Sequence, residues 1–167
     1  MNYVLIALGS NMQREANVPA AIEALRSHPA ILLRAVSPVY ETVPIGRNGQ
    51  PSDQPTFHNG AALLETDLSP DELLSVLRQI EAQLGRVRGA DKFDARPIDL
   101  DIALVRQKSA RSNGVVQADP DIARFIHLSA PLADLAPDWV MPQTGETLRQ
   151  LADRHWAESS HPPTKQR

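Results

Sequence analysis

Cysteine is absent from the 167-residue chain. No disulfide can staple the fold, and none is needed, because a chain of this length buries roughly two thirds of its unfolded surface in one domain. An excess of basic residues is missing as well. The formal charge is -3, whereas a nucleic-acid footprint normally shows as a basic face. No nucleic-acid partner is therefore expected, and any anionic ligand must be met by a local group of arginines. No apolar run approaches the about 20 residues that span a bilayer, and the opening Met1-Asn2-Tyr3-Val4-Leu5 lacks the basic stretch and longer apolar run of a signal peptide. The expectation is a cytoplasmic protein with no membrane contact. The G-x-x-x-x-G-K-[ST] loop is also missing, so any ATP must be held by metal and arginine rather than by a P-loop.

The residues that are present alternate between apolar runs and turn signals. Tyr3 to Leu8 is a short apolar run closed by Gly9-Ser10-Asn11, which predicts a buried strand and a turn. From Asn17, with Pro19 as an early helix position, Val18, Ile22 and Leu25 recur at helical spacing. Ile31 to Val36 predicts a second strand that continues as an extended, proline-punctuated edge to Gly46. Arg47 to Pro55 has no periodicity and reads as a loop. Phe57 to Thr66 predicts a third strand. Ser69-Pro70-Asp71-Glu72 is a capping signature for a helix through Leu84, with Leu73, Leu74, Leu77, Ile80 and Leu84 on its buried stripe. Residues 106–121 show little periodicity, and Ser109 to Asn113 suggests a loop. Phe125 to Leu132 fits a short strand or a helix, and Glu146 to about Trp156 fits a last helix. The expectation is one catalytic domain over residues 1–158 and a disordered tail over 159–167. The order βαββαβ with antiparallel neighbours argues for an α+β fold, a ferredoxin-like sandwich of mainly antiparallel sheet with helices packed on one face.

The most informative stretch is Arg96-Pro97-Ile98-Asp99-Leu100-Asp101-Ile102-Ala103-Leu104. On a strand, Asp99 and Asp101 project to one side with Cα atoms roughly 6.5 Å apart, while Ile98, Leu100 and Ile102 project to the other. Two such carboxylates repel each other unless a divalent cation lies between them. Mg²⁺ takes only one or two protein carboxylates and leaves its other positions to water and phosphate oxygens. Arg86, Arg88 and Arg96 bracket the glycine-bearing segment that leads into this strand, an arrangement suited to charge on a transferring phosphoryl group.

The run Ala95-Arg96-Pro97-Ile98-Asp99-Leu100-Asp101, the spacing G-R-x-R-x7-R-x-x-D-x-D and the early Gly9-Ser10-Asn11 together resemble the 6-hydroxymethyl-7,8-dihydropterin pyrophosphokinase family, HPPK. The resemblance extends from Gly9 to Leu132. It independently implies the ferredoxin-like fold, a monomer, and transfer of pyrophosphate from ATP to the hydroxymethyl group of the pterin, giving AMP. It further implies that Asp99 and Asp101 ligate two Mg²⁺ ions and that Arg86 and Arg96 assist transfer. Glu81, Arg88, Phe93 and Ile102 would lie at the ATP, and Thr42, Pro44, Ile45, Phe57 and Asn59 at the pterin, with Phe125 or His127 covering its second face.

Some positions depart from the family pattern. Phe57 stands where many relatives carry Tyr, and Phe93 where they carry Trp. Ala118-Asp119 replaces a Pro-His that contributes to the triphosphate site in relatives; either the loop turns Asp119 into solvent or toward an arginine such as Arg124, which is the expectation, or ATP binding is weaker than in those relatives. Two other readings compete. A metal-dependent nuclease or phosphohydrolase would use a D-x-D pair with arginines, but a third acidic or histidine ligand is missing from the same run. A ferredoxin-like RNA-binding module would need an aromatic R-G-F-x-F strand that this chain does not have.

Overall fold

A computed structural model describes residues 1–87, 96–109 and 114–166. The central strand β1 (Asn2–Ser10) pairs antiparallel with β4 (Phe57–Thr66) on one side and β5 (Asp99–Gln107) on the other. Beyond them lie β3 (Tyr40–Thr42) and β6 (Val115–Ala118), while β2 (Leu32–Val36) also pairs with β4. β1 is apolar at successive positions because both its faces are covered. Val4, Ile6 and Leu8 join one core, and Leu5 joins the other.

Helix α1 (Arg14–Ser27) and helix α2 (Pro70–Gln83) build the first core through Val18, Ala21, Leu25, Leu73, Leu77 and Ile80. Helix α3 (Ile126–Leu135) and helix α4 (Leu148–Glu158) build the second, through Leu132, Leu148 and Leu151. The expectation that all helices share one face is therefore corrected. The ferredoxin-like βαββαβ core carries α1 and α2 on one side, and the later helices cover the other. A bulge makes this possible on β5: Leu5 faces Leu104 and Ile6 faces Ile102, so the extra Ala103 turns Leu104 into the second core while Leu100 stays in the first.

Local signals hold where they are strong. Ser69 Oγ accepts the Glu72 N–H and Glu72 returns the bond to the Ser69 N–H, closing the capping box at α2. Leu74, however, is exposed. At 100° per residue it falls off the Leu73, Leu77, Ile80 stripe. Helix α1 starts at Arg14, ahead of the expected Asn17, so Pro19 lies inside it. Phe125 to Leu132 resolves as helix. β6 carried no periodic signal, being a four-residue edge strand. The tail, expected to be disordered, contains β7 (Thr164–Lys165), which pairs with β3. An open strand edge recruits backbone groups whatever the side-chain composition. No helix among the described residues is long and apolar enough to cross a membrane.

Candidate active site

The turn after β1 fixes the entry to β5. Ser10 Oγ donates to the Pro97 carbonyl (2.5 Å), Asn11 Oδ1 accepts the Arg96 N–H (2.7 Å), and the Asn11 N–H donates to the Arg96 carbonyl (3.2 Å). Ser10 and Asn11 are buried. The Gly-Ser-Asn turn is thus a clamp on Arg96-Pro97. Gly9 lets Asn59 approach closely: a Cβ there would sit 3.1 Å from Asn59 Oδ1, so the amide would have to shift by a few tenths of an ångström.

Asp99 and Asp101 lie on one face of β5 and line a cavity of about 190 Å³ with Gly9, Asn59, Phe125 and His127. Three guanidinium groups meet them. Arg86 Nη1 donates to Asp99 Oδ1 (2.5 Å) and Arg96 Nη1 to Asp99 Oδ2 (2.9 Å), while Arg78 Nη2 donates to Asp101 Oδ1 (3.1 Å). Burial works against the Asp99 carboxylate, but the hydrogen bond and charge of Arg86, reinforced by Arg96 and Arg78, hold its carboxyl below the usual range. Asp101 is pushed up by burial, by the charge of Asp99 and by Glu81, against the opposing pull of Arg78.

Glu81 is 2% exposed and organises this edge from inside the fold. Its Oε1 accepts from the Leu100 N–H (2.8 Å), Arg78 Nη1 (2.8 Å) and Arg86 Nη1 (3.3 Å). Arg78 Nη1 also donates to the Leu100 carbonyl (3.0 Å). β6 pairs with β5 only from Leu104 onward, so side chains of α2 satisfy the outward backbone groups of Leu100. Arg78 is the member of this group that the sequence did not single out. It sits in an ordinary helical stretch, and only the placement of α2 against the β5 edge brings it to Asp101.

Among the residues expected at the pterin, Asn59 is buried and its Nδ2 donates to Thr42 Oγ1 (2.5 Å). Phe57 lies beneath the Arg96 guanidinium, 5.7 Å from ring centroid to Cζ. Pro44 is buried, and its carbonyl accepts the Ser52 N–H (2.9 Å), which ties in the loop after β3. Thr42 and Ile45 line a second cavity, of about 340 Å³, on the far side of Phe125 and His127. Those two rings stack with centroids 5.4 Å apart, and both border the two cavities. Burial, with the nearby Arg96 charge, lowers the His127 pKa to about 4 against the pull of Asp121, so the ring is neutral near pH 7.

Ile102 packs toward the core of α1 and α2, on the face opposite Asp101. Arg88 and Phe93 lie outside the described residues, as does most of the segment before Arg96. The expectation for Asp119 is corrected. Its Oδ1 accepts the Asp121 N–H (2.9 Å), capping the 3₁₀ turn Pro120–Ala123, and it borders the cavity of Asp99 and Asp101; Arg124 pairs with Asp121 instead.

The donor set would suit a hard cation. Asp99 and Asp101 would supply its oxygen ligands, and among the described residues no group of three or more Asp, Glu, His or Cys is arranged to hold a metal. A cation here would complete its shell with water and phosphate oxygens, as Mg²⁺ does.

Comparison with known proteins agrees with this geometry. Residues 5–137 match the family model described as 7,8-dihydro-6-hydroxymethylpterin-pyrophosphokinase (HPPK). The 2-amino-4-hydroxy-6-hydroxymethyldihydropteridine pyrophosphokinase of Pseudomonas aeruginosa is 39% identical over 149 residues, covering 89% of this chain and 88% of that protein. The enzyme of the same name from Bacillus subtilis is 34% identical over 160 residues, covering 95% and 93%. Among solved structures, Plasmodium falciparum HPPK-DHPS superposes with a TM-score of 0.66 at 15% identity, over 94% of this chain and 44% of that one. The same protein with pterin and p-hydroxybenzoate superposes with a TM-score of 0.65 at 14% identity, over 93% and 42%. This chain thus spans less than half the length of those structures, and their likeness establishes the fold.

Proposed function

The chain belongs to the 7,8-dihydro-6-hydroxymethylpterin-pyrophosphokinase family and is a pyrophosphokinase of folate synthesis, and on that footing we propose that it moves the β,γ-pyrophosphoryl group of ATP, with Mg²⁺, onto the hydroxymethyl oxygen of the dihydropterin. The new bond joins that oxygen to the β-phosphorus, the hydroxyl gives up its proton to solvent, the bond from the β-phosphorus to the α,β-bridging oxygen breaks, and AMP leaves with that oxygen.

The observation that carries this reading is the charge arrangement at β5. Three carboxylates (Asp99, Asp101, Glu81) face three guanidiniums (Arg78, Arg86, Arg96) in one hydrogen-bonded group. Such a group can accept a metal triphosphate by exchange of partners: Asp99 and Asp101 would turn to cations and Arg86 and Arg96 to phosphate oxygens, while the buried Glu81 stays with the scaffold. Guanidinium stays protonated and binds phosphate bidentately, so it is suited to that exchange. Asp99 and Asp101 would hold Mg²⁺, which when bound would neutralise the triphosphate and orient its β-phosphorus. Arg86 and Arg96 then face the charge that develops as the α,β-bridge breaks. Arg96 is held for this by the Asn11 clamp, and Asn59, fixed by Thr42, offers its amide to the pterin edge. Phe57 and Phe125 or the neutral His127 supply the flat apolar walls.

Nucleotide product analysis tests the reading. Incubation with ATP, Mg²⁺ and the dihydropterin should release AMP in step with the pterin diphosphate. Release of ADP would mean transfer of a single phosphoryl group and would overturn it.

A further inference from the structure

Arg78 is not among the arginines read from the sequence (Arg86, Arg88 and Arg96), yet its guanidinium is built into the site. One nitrogen, Nη1, is anchored to scaffold: it donates to the buried Glu81 (2.8 Å) and to the Leu100 carbonyl (3.0 Å). The other, Nη2, reaches out to Asp101 Oδ1 (3.1 Å). The two halves differ in surroundings. Glu81 is 2% exposed, whereas Asp101 is 47% exposed at its side chain. The Nη2 contact is the weaker half, because a half-exposed ion pair is screened and hydrated. Asp99, in contrast, is 23% exposed and holds two arginines. The pair of carboxylates is therefore guarded unequally, and among the described residues Asp101 has one detachable ion-pair partner.

We infer that Arg78 is a positioning residue that keeps the Asp101 carboxylate occupied by a tethered guanidinium until a cation displaces it, so that a free divalent cation binds weakly. This rests on the reading of Asp101 as a metal ligand. Displacement costs one exposed contact, while Nη1 stays on Glu81 and the Leu100 carbonyl and the β5 edge keeps its shape. A lysine cannot do the same. Its ammonium is a point charge without the planar fork that spans Glu81, Leu100 and Asp101 together.

The test is binding of Mn²⁺ alone, followed by the electron paramagnetic resonance signal of the free ion, on the full chain without nucleotide. Arg78→Gln should bind Mn²⁺ about tenfold more tightly than the natural protein, and Arg78→Lys should tighten it by less. In an Asp101→Asn background the gain from Arg78→Gln should disappear, because the guarded carboxylate is gone. A purely structural role for Arg78 would not produce that coupling. Unchanged or weaker Mn²⁺ binding in both Arg78 variants, or a gain that persists undiminished in the Asp101→Asn background, would overturn the inference. The metal reading is checked separately with a non-hydrolysable ATP analogue present. Asp101→Asn should then weaken Mn²⁺ binding whatever stands at position 78, and if it does not, the ligand assignment fails rather than the role of Arg78.

Discussion

Asn11 and Arg96 hold each other by a reciprocal pair of hydrogen bonds, one through a side chain and one through backbone: Asn11 Oδ1 accepts the Arg96 N–H at 2.7 Å, and the Arg96 carbonyl accepts the Asn11 N–H at 3.2 Å. The turn that ends β1 therefore aims an arginine that reaches Asp99 from the start of β5. The side chain of Asn11 bonds to Gln54 and Arg96 and not to Asp99 or Asp101, so on the proposed function its contribution to turnover would run through Arg96.

Asn11→Ala should lower kcat by about 10- to 100-fold, the scale of a small misplacement of a catalytic group, and should cost about 1–3 kcal/mol of stability through the buried donor left unpaired. Arg96→Ala should lower the transfer rate by a similar or larger factor with little change in ATP affinity, because its charge is needed mainly in the transition state. Steady-state kinetics, nucleotide titration and thermal unfolding separate these effects. A normal kcat in Asn11→Ala would show that the clamp does not set the position of Arg96.

Asp99→Asn and Asp101→Asn should each reduce kcat/KM by at least about a hundredfold, with a cooperative unfolding transition retained. Chelation of divalent cations should abolish turnover in the natural protein, and Mg²⁺ should restore it. Full activity with Mg²⁺ in either variant would remove that aspartate from the metal site.

His127 gives a prediction about acid stability. Its pKa in the folded chain is lowered from 6.5 to about 4, so the unfolded chain takes up the proton first as the pH falls. The protein is then destabilised between about pH 6.5 and pH 4, by up to about 3 kcal/mol, and no further from this residue below that window. His127→Phe, which keeps a ring beside Phe125, should flatten the stability curve across that range in chemical denaturation. An unchanged slope would show that His127 titrates normally in the folded state.

Asp119 caps the 3₁₀ turn and also borders the cavity of Asp99 and Asp101. Asp119→Asn keeps the capping oxygen and drops the charge, so it should preserve stability while tightening ATP binding by up to about tenfold. The gain should shrink as salt screens the repulsion. Asp119→Ala should tighten binding similarly but cost about 1 kcal/mol from the lost cap. Weaker binding in both variants would mean that Asp119 helps hold the metal or orients an arginine.

The sequence by itself determined what short-range geometry governs. Period-two alternation puts Asp99 and Asp101 on one face opposite Leu100, and the Ser69 and Glu72 pair starts α2. The stretch from Phe57 to Thr66, bounded by turn signals, marks β4 at both ends. Each of these depends on residues within a few positions of one another, so the signal is local and legible. The tertiary structure alone decided which distant groups share a site. Helices on both faces, the bulge at Ala103, the edge strand β7 and the place of Asp119 beside the cavity of Asp99 and Asp101 follow from which elements become neighbours. So does the reach of Arg78 from α2 to Asp101, because an ion pair or an edge-strand hydrogen bond has no periodicity along the chain and forms only once the core has fixed the two partners within about 3 Å of each other.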